Sequence, residues 1–229
     1  MNKKHVFFAL QADISDFLPT FAAMKQETRG KELYILYMDD FTARDIDRLM
    51  EGMPAWRRQQ AQRFRHETGR RQCILAYEAL RQGLRERYGI AEAPDFDYNG
   101  HGKPSLRQFP HIHFSLSHCR EAVGCLLSNE ACGLDLEARR PVRESLVRYT
   151  MNEVEASLIA SAEEPETAFL RLWTRKEAVL KLRGTGIQGD IKDVLAEESI
   201  SDLELHTSEL PRRQVVCSWA IKAEQANTK

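Results

Sequence analysis

Two long helical stretches, one in each half of the chain, limit the fold more than any other feature. Apolar residues recur at helical spacing over Arg70–Tyr88, and Gly89 follows as a natural stop. A second stretch covers Glu166–Leu182; Pro165 opens it and Gly184 follows it. Short strand-like runs flank both stretches. The chain therefore predicts an α+β fold with one long helix in each half.

The shorter elements complete this expectation. Each long helix also carries a basic pair, which hints at two similar α+β halves. The tail predicts a closing hairpin. The predicted strands are His5–Gln11, Glu32–Met38, Ile112–Ser117, Ala122–Leu127, Gly133–Glu137, Leu203–Leu210 and Gln214–Lys222, and the predicted short helices are Thr42–Glu51, one starting at Pro54, Val142–Tyr149 and Asn152–Ser161.

Charge and cysteine content exclude several classes of protein. Lys and Arg number 33 against 34 Asp and Glu, so a globally basic nucleic-acid binder is disfavoured. The longest early apolar run, Val6 to Leu10, is too short for a signal peptide or a membrane helix. Five cysteines without a Cys-x-x-Cys motif favour reduced thiols over disulfides or a zinc site. We expect a cytoplasmic protein that binds neither membranes nor nucleic acid.

Two arginine clusters break the overall charge balance. One runs from Arg57 to Arg71, and the other comprises Arg139, Arg140, Arg143 and Arg148. Either cluster is consistent with an ordinary solvated helix face. Either also suits the binding of phosphates or of an acidic partner.

A pair of carboxylates is the first candidate for chemistry. In the predicted strand Gly133–Glu137, Asp135 and Glu137 point to one face while the leucines between them point to the other. Paired carboxylates suit Mg²⁺ or Mn²⁺. The alternative is an ordinary strand end with two exposed acids.

The second long helix supplies further candidates. Trp173, Glu177 and Lys181 are spaced i, i+4 and i+8 and share one helix face, and Lys176 flanks them. The simple interpretation is a single Glu–Lys pair. The functional interpretation makes Glu177 a third carboxylate on a metal and Lys181 a phosphate ligand.

A turn and a strand end complete the set. Gly102 and Pro104 shape a turn that presents Lys103, and the run Phe114–His118 ends in a Ser-His pair that could contact phosphate oxygens. A Ser117 nucleophile is disfavoured because no nucleophile elbow surrounds it. The carboxylates, basic groups and histidine together predict a metal-assisted phosphoryl transfer.

These motifs resemble those of a known family. Gly-Leu-Asp-Leu-Glu at 133–137 and Trp-Thr-Arg-Lys-Glu-Ala at 173–178 are similar to signatures of the surfactin-type 4′-phosphopantetheinyl transferases. Gly-Lys-Pro at 102–104 and Phe-Ser-Leu-Ser-His at 114–118 match two further motifs in the same order. The resemblance implies a monomeric pseudo-dimer with halves 31–129 and 130–229, preceded by an extension over 1–30 of unknown role.

The resemblance also implies a reaction. The family moves the phosphopantetheine arm of coenzyme A to a serine of an apo acyl or peptidyl carrier protein and releases adenosine 3′,5′-bisphosphate. An alternative is another metal-dependent phosphoryl-transfer or nucleotide-hydrolysing enzyme. A non-enzymatic RNA-binding module is disfavoured, because the basic stretch lacks interleaved aromatic residues.

Site residues carry over by motif. Asp135, Glu137 and Glu177 resemble the ligands of Mg²⁺ or Mn²⁺, and Glu153, with Glu155 as a neighbouring candidate, resembles an acid that helps to deprotonate the carrier serine. Arg139, Arg140, Arg143 and Arg148 are candidates for docking an acidic carrier protein. The expected contacts with coenzyme A are Arg71, Lys103, Ser117, His118, Lys176 and Lys181, of which His118 and Lys181 also count as catalytic.

Overall fold

The computed structural model describes residues 24–28, 30–186, 190–210 and 212–223. Within them lie nine strands and seven α-helices. The strands are β1 (Met24–Thr28), β2 (Lys31–Tyr37), β3 (Phe96–Tyr98), β4 (Pro104–Leu106), β5 (His113–His118), β6 (Ala122–Ser128), β7 (Cys132–Ala138), β8 (Leu203–Leu210) and β9 (Val215–Lys222). The helices are α1 (Ala43–Glu51), α2 (Ala55–Gln62), α3 (Glu67–Tyr88), α4 (Glu144–Thr150), α5 (Glu153–Ser161), α6 (Pro165–Arg183) and α7 (Glu197–Ile200).

Two antiparallel sheets form the centre of the fold. The first has the strand order β1-β2-β6-β5, and the second has the order β7-β9-β8; β3 and β4 form a separate hairpin. Both predicted parts of the closing hairpin pair as β8 and β9. The predicted α+β fold class is confirmed. None of the described helices is long and apolar enough to cross a membrane.

Alternating side chains explain how the sheets stack. Tyr34 and Leu36 of β2 belong to a core with α3, whereas Leu33 and Ile35 belong to a core with β7 and β9. Strand side chains alternate between faces, so β2 is buried on both sides. On the second sheet, Ala220 packs with α6. The layers therefore follow the order α3, first sheet, second sheet, α6.

Capping residues mark several helix ends. The Thr42 side chain caps α1 and the Asn152 side chain caps α5, each within a capping box. Gly89 ends α3 in the left-handed conformation. Helix α3 begins at Glu67, three residues before the predicted start at Arg70, and Gly69 lies within it.

Some elements differ from the expectation. Strand β1 pairs along β2 within the stretch predicted to be an extension, and the sequence did not indicate it. The predicted strand His5–Gln11 lies outside the described residues. Of the β3–β4 hairpin, the sequence predicts only the turn that presents Lys103.

Candidate active site

The candidate site lies where β5 of the first sheet meets β7 of the second. The hydroxyl of Ser115 accepts a 2.9 Å hydrogen bond from the amide of Leu134, and the hydroxyl of Ser117 accepts one of 3.1 Å from the amide of Leu136. Both serines are buried. They join two strands that belong to different sheets and fix β7 beside the end of β5.

Helix α6 packs directly on β7 because Gly133 has no side chain. A Cβ at this position would lie 1.9 Å from the carbonyl oxygen of Ala178 and 2.4 Å from the amide nitrogen of Leu182. Any larger residue would force the helix away from the strand. This contact sets Glu177 and Lys181 of α6 against Asp135 of β7.

Asp135 and Lys181 form the central contact of the site. The Lys181 ammonium donates to Oδ1 of Asp135 at 2.7 Å and to the Ser117 hydroxyl at 3.0 Å. The Ser117 hydroxyl in turn donates to the same Asp135 oxygen at 3.1 Å. Oδ2 of Asp135 is buried and has no hydrogen-bond partner among the described residues. A buried carboxylate oxygen in this state is suited to a cation.

Glu137 lies two residues further along β7, on the same face as Asp135. Its carboxylate accepts a 3.3 Å hydrogen bond from the Trp173 indole, and Arg140 lies 3.7 Å from its other oxygen. Burial, and then the negative charge of Asp135, raise the pKa of Glu137 above the ordinary value. Trp173 of α6 thus contacts the carboxylate group directly through its indole.

Glu177 completes the carboxylate group. Burial raises its pKa, and the charges of Asp135 and Glu137 add to this while Lys181 opposes it. The three acids therefore lie close enough to repel one another. No set of three or more His, Cys, Asp or Glu side chains within the described ranges is arranged to hold a metal ion as it stands. The donor set fits a divalent cation, and ligation by all three residues stays a prediction.

A cavity of about 360 Å³ opens beside this group. Glu177 and Lys181 line one side, and Lys103, Pro104 and Phe114 are among the residues lining the other. The cavity thus lies between helix α6 on one side and β5 with the β3–β4 hairpin on the other.

His118 ends β5 next to this group and is exposed. The protein atoms around its ring lower its pKa, and the positive charge of Lys181 lowers it further. The ring is therefore predominantly neutral at pH 7 and can both donate and accept a hydrogen bond.

The other predicted substrate contacts are engaged with backbone groups. Arg71 donates to the carbonyl oxygens of Met38 and Phe41, at 2.9 and 2.6 Å. Lys103 donates to the carbonyl oxygens of Cys132 and Leu182, at 3.1 and 2.9 Å. Their contacts with coenzyme A stay predictions.

Lys176 is not brought to the cavity. It is fully buried, and its ammonium donates to the Glu155 carboxylate at 2.7 Å and to the carbonyl oxygens of Thr150, Ile191 and Lys192. The prediction that Lys176 contacts coenzyme A is therefore wrong, because its charge is neutralised within the core. Sequence spacing places it beside Glu177 but does not show which neighbours cover that helix face.

The two neighbouring acids of α5 differ sharply. Glu155 is buried, accepts from Lys176 and caps the helix through the Asn152 amide. Glu153, two residues earlier at the same helix end, is exposed. Glu155 is thus a structural member of the α5–α6 contact.

The second arginine cluster lies on and before α4. Arg140, Arg143 and Tyr149 line an open cavity there, and Tyr149 is 69 % exposed. Arg143 is exposed and has no ion-pair partner among the described residues, whereas Arg139 and Arg148 pair with nearby glutamates. Because Arg140 also approaches Glu137, this surface adjoins the carboxylate group.

Comparison with known proteins identifies the family. The model of the 4′-phosphopantetheinyl transferase superfamily matches residues 131–223, which contain β7 and α6. The 4′-phosphopantetheinyl transferase psf-1 of Bacillus pumilus is 32 % identical over 181 residues, which cover 76 % of this chain and 78 % of that protein. The chain belongs to the 4′-phosphopantetheinyl transferase family.

Further relatives agree with this assignment. The transferase Sfp of Bacillus subtilis strain 168 is 26 % identical over 160 residues, which cover 68 % of this chain and 71 % of Sfp. The transferase AcpT of Salmonella typhi is 37 % identical over 101 residues, or 42 % of this chain and 52 % of AcpT. The protein is thus a surfactin-type 4′-phosphopantetheinyl transferase and an enzyme, as predicted from its motifs.

Proposed function

We propose that this transferase moves the 4′-phosphopantetheine arm of coenzyme A to a serine of an apo acyl or peptidyl carrier protein and releases adenosine 3′,5′-bisphosphate. The observation that carries the proposal is the contact between Lys181 and Asp135 at the edge of the cavity. A diphosphate needs a cation and a fixed positive group at one place, and this pair offers an unused carboxylate oxygen beside an ammonium.

In this proposal Asp135, Glu137 and Glu177 hold Mg²⁺ or Mn²⁺. When bound, the cation neutralises charge on the diphosphate. Lys181 lies beside the leaving phosphate, and the neutral ring of His118 donates a hydrogen bond to a phosphate oxygen. Ser117 holds Lys181 and Asp135 in register and does not itself contact the adenosine portion, because its hydroxyl is buried among protein groups.

The proposed reaction is a nucleophilic displacement at phosphorus. The carrier serine Oγ forms a bond to the phosphorus that bears the pantetheine arm, and the bond from that phosphorus to the bridging oxygen breaks. The leaving group is adenosine 3′,5′-bisphosphate. The serine proton passes to Glu153, whose exposed position at the start of α5 leaves it open to a docked partner.

The arginine surface on α4 is the proposed docking site for an acidic carrier protein. Its support is Arg143, which is exposed and forms no ion pair with the part of the chain that the structure describes, and the exposed ring of Tyr149. Both adjoin the carboxylate group through Arg140. Complementary charge at such a surface speeds association and fixes orientation.

We also propose that the chain acts as a monomer in the cytoplasm, with halves 31–129 and 130–229. The proposed first half holds three strands of the first sheet, the β3–β4 hairpin and α3, whereas the second half holds the second sheet and α6. The cavity is lined by both halves. The five cysteines are all unpaired, in keeping with a reducing compartment.

One reaction tests the proposed function. The enzyme is incubated with coenzyme A, Mg²⁺ and several apo carrier proteins, and each carrier is weighed by mass spectrometry. We expect one carrier or more to gain the mass of phosphopantetheine. Release of nucleotide products without any gain on a carrier would favour a different phosphoryl enzyme and contradict the proposal.

A further inference from the structure

The loop that joins β3 and β4 is built around one asparagine. Oδ1 of Asn99 accepts hydrogen bonds of 2.9 Å from the amides of both His101 and Lys103, and the Asn99 amide donates to the Lys103 carbonyl oxygen. These bonds fix the loop, with its Gly-Lys-Pro sequence, as one defined turn.

The same loop is hydrogen-bonded to the C-terminal end of α6. Nδ2 of Asn99 donates to the Gly184 carbonyl oxygen at 2.8 Å, and the Lys103 ammonium donates to the Leu182 carbonyl oxygen at 2.9 Å. The last carbonyl groups of a helix lack partners within the helix, and a cation is favourable there. The Lys103 ammonium also reaches the Cys132 carbonyl oxygen of β7.

Packing at Gly184 shows how close this contact is. Gly184 ends α6 in the left-handed conformation, and a Cβ there would lie 2.7 Å from Cδ of Lys103. Burial lowers the pKa of Lys103 below the ordinary lysine value. The lysine stem and its ammonium are therefore enclosed between the loop and the helix end.

These hydrogen bonds between the loop and α6 lie at the rim of the cavity described above. The loop contributes His101, Lys103 and Pro104 to one wall, and α6 contributes Glu177 and Lys181 to the other. The carbonyl group that Lys103 holds belongs to the residue directly after Lys181. Movement of the loop relative to α6 would therefore change the width of the cavity beside the candidate phosphate-binding lysine.

We propose that Lys103 and Asn99 are positioning residues that hold the β3–β4 loop against the end of α6 and thereby set the affinity for coenzyme A. Lys103 acts through the loop and the helix, not as a direct ligand of a phosphate. The substrate part of this inference rests on the proposed function.

The first test needs no substrate. Hydrogen exchange of the ligand-free enzyme is followed by mass spectrometry for the wild type, for Lys103→Met and for Asn99→Ala. We expect both variants to exchange about tenfold faster in peptides covering 96–106 and the end of α6, with no change in α3, since each variant loses hydrogen bonds that close this contact. Unchanged exchange in both peptides would overturn the proposal whatever the enzyme transfers.

The second test separates positioning from direct contact. KM for coenzyme A and kcat are measured for both single variants, for the double variant and for the control Arg107→Ala. Arg107 pairs with Asp97 and donates to the Phe96 carbonyl oxygen of the same hairpin, and it makes no bond to α6 among the described residues. We expect both single variants to raise KM about tenfold with little change in kcat, and the double variant to be scarcely worse than either.

Other outcomes contradict the proposal. If Lys103 binds a phosphate directly, Lys103→Met alone raises KM, the uncharged change Asn99→Ala does not, and the two effects add. An equal rise in KM for coenzyme A in the Arg107→Ala control would show that any damage to the hairpin has this effect. If the wild type fails to transfer phosphopantetheine, the exchange experiment still decides whether these residues hold the loop against α6.

Discussion

The Lys181 ammonium lies 2.7 Å from Oδ1 of Asp135, and the second oxygen of that carboxylate is buried without a hydrogen-bond partner among the described residues. One oxygen of Asp135 thus holds the lysine, and the other stays available. This division of one carboxylate between a fixed ammonium and an open position is what a site for a cation and a diphosphate needs.

Asp135→Asn tests whether the charge or the shape of this side chain matters. Asparagine keeps an oxygen for Lys181 but removes the negative charge, so we expect kcat to fall at least about 100-fold and Mg²⁺ binding to weaken. Transfer to a carrier and calorimetric Mg²⁺ titration are the measurements. Ser117→Ala serves as the comparison, because it removes three hydrogen bonds and no charge. A larger loss in Ser117→Ala than in Asp135→Asn would contradict the role given to the carboxylate.

The buried ion pair of Lys176 and Glu155 yields a separate prediction about stability. Glu155→Gln leaves the fully buried ammonium without its counter-charge, so we expect the free energy of unfolding to fall by about 3 kcal/mol. Urea denaturation gives this value.

The matched control for that variant is Glu153→Gln, two residues away and exposed. It should leave the unfolding free energy unchanged within about 0.5 kcal/mol and lower kcat for carrier modification. Full activity in Glu153→Gln together with a stable but inactive Glu155→Gln would transfer the assisting role to Glu155.

Sequence patterns predicted what depends on local spacing. The alternation of Leu134 and Leu136 with Asp135 and Glu137 is that of a strand, and β7 has these faces. Spacing along α6 places Glu177 and Lys181 on one helix face, and both line the cavity. Periodicity is a property of neighbouring residues, so one chain suffices to detect it.

Contacts between distant segments could not be predicted from the sequence. The hydroxyl of Ser117, predicted to contact coenzyme A, accepts a hydrogen bond from the backbone of β7, as does the hydroxyl of Ser115. Lys176 turns into the core toward a glutamate 21 residues earlier. Which polar groups pair across a fold depends on how elements pack, and no local pattern encodes that pairing.

Charge reversal at Arg143 tests the proposed docking surface. Arg143 is exposed without an ion-pair partner among the described residues, so Arg143→Glu should act through a partner and not through the fold. We expect KM for the carrier protein to rise about tenfold while KM for coenzyme A stays constant. Arg148→Glu should have a smaller effect, because Arg148 already pairs with Glu144. Arg44 is an exposed residue of α1, and Arg44→Glu is the control. An equal rise in KM for the carrier protein in that variant would show that overall charge, and not this surface, causes the effect.

The buried Glu78 of α3 predicts a pH-dependent stability. Burial raises its pKa, although Arg81 lies 3.4 Å away and opposes the shift. The folded protein therefore binds the Glu78 proton more tightly than the unfolded chain does. As the pH rises above the pKa of Glu78 in the unfolded chain, the free energy of unfolding falls. Glu78→Gln should raise the melting temperature by about 2 °C at pH 8, and the gain should disappear as pH falls toward 4. A gain that persists at pH 4 would contradict a titrating origin.

All five thiols should be unreactive in the folded enzyme. Each cysteine is buried, and burial raises the pKa of every thiol, to about 12 for Cys132 and Cys217. Thiolate is the reactive form, so modification by a disulfide reagent must wait for unfolding. We expect no rapid reaction in native buffer. In about 8 M urea, which unfolds the protein, we expect five equivalents of released chromophore. One rapidly reacting thiol in the native enzyme, assigned by peptide mapping, would show that the core around that cysteine opens.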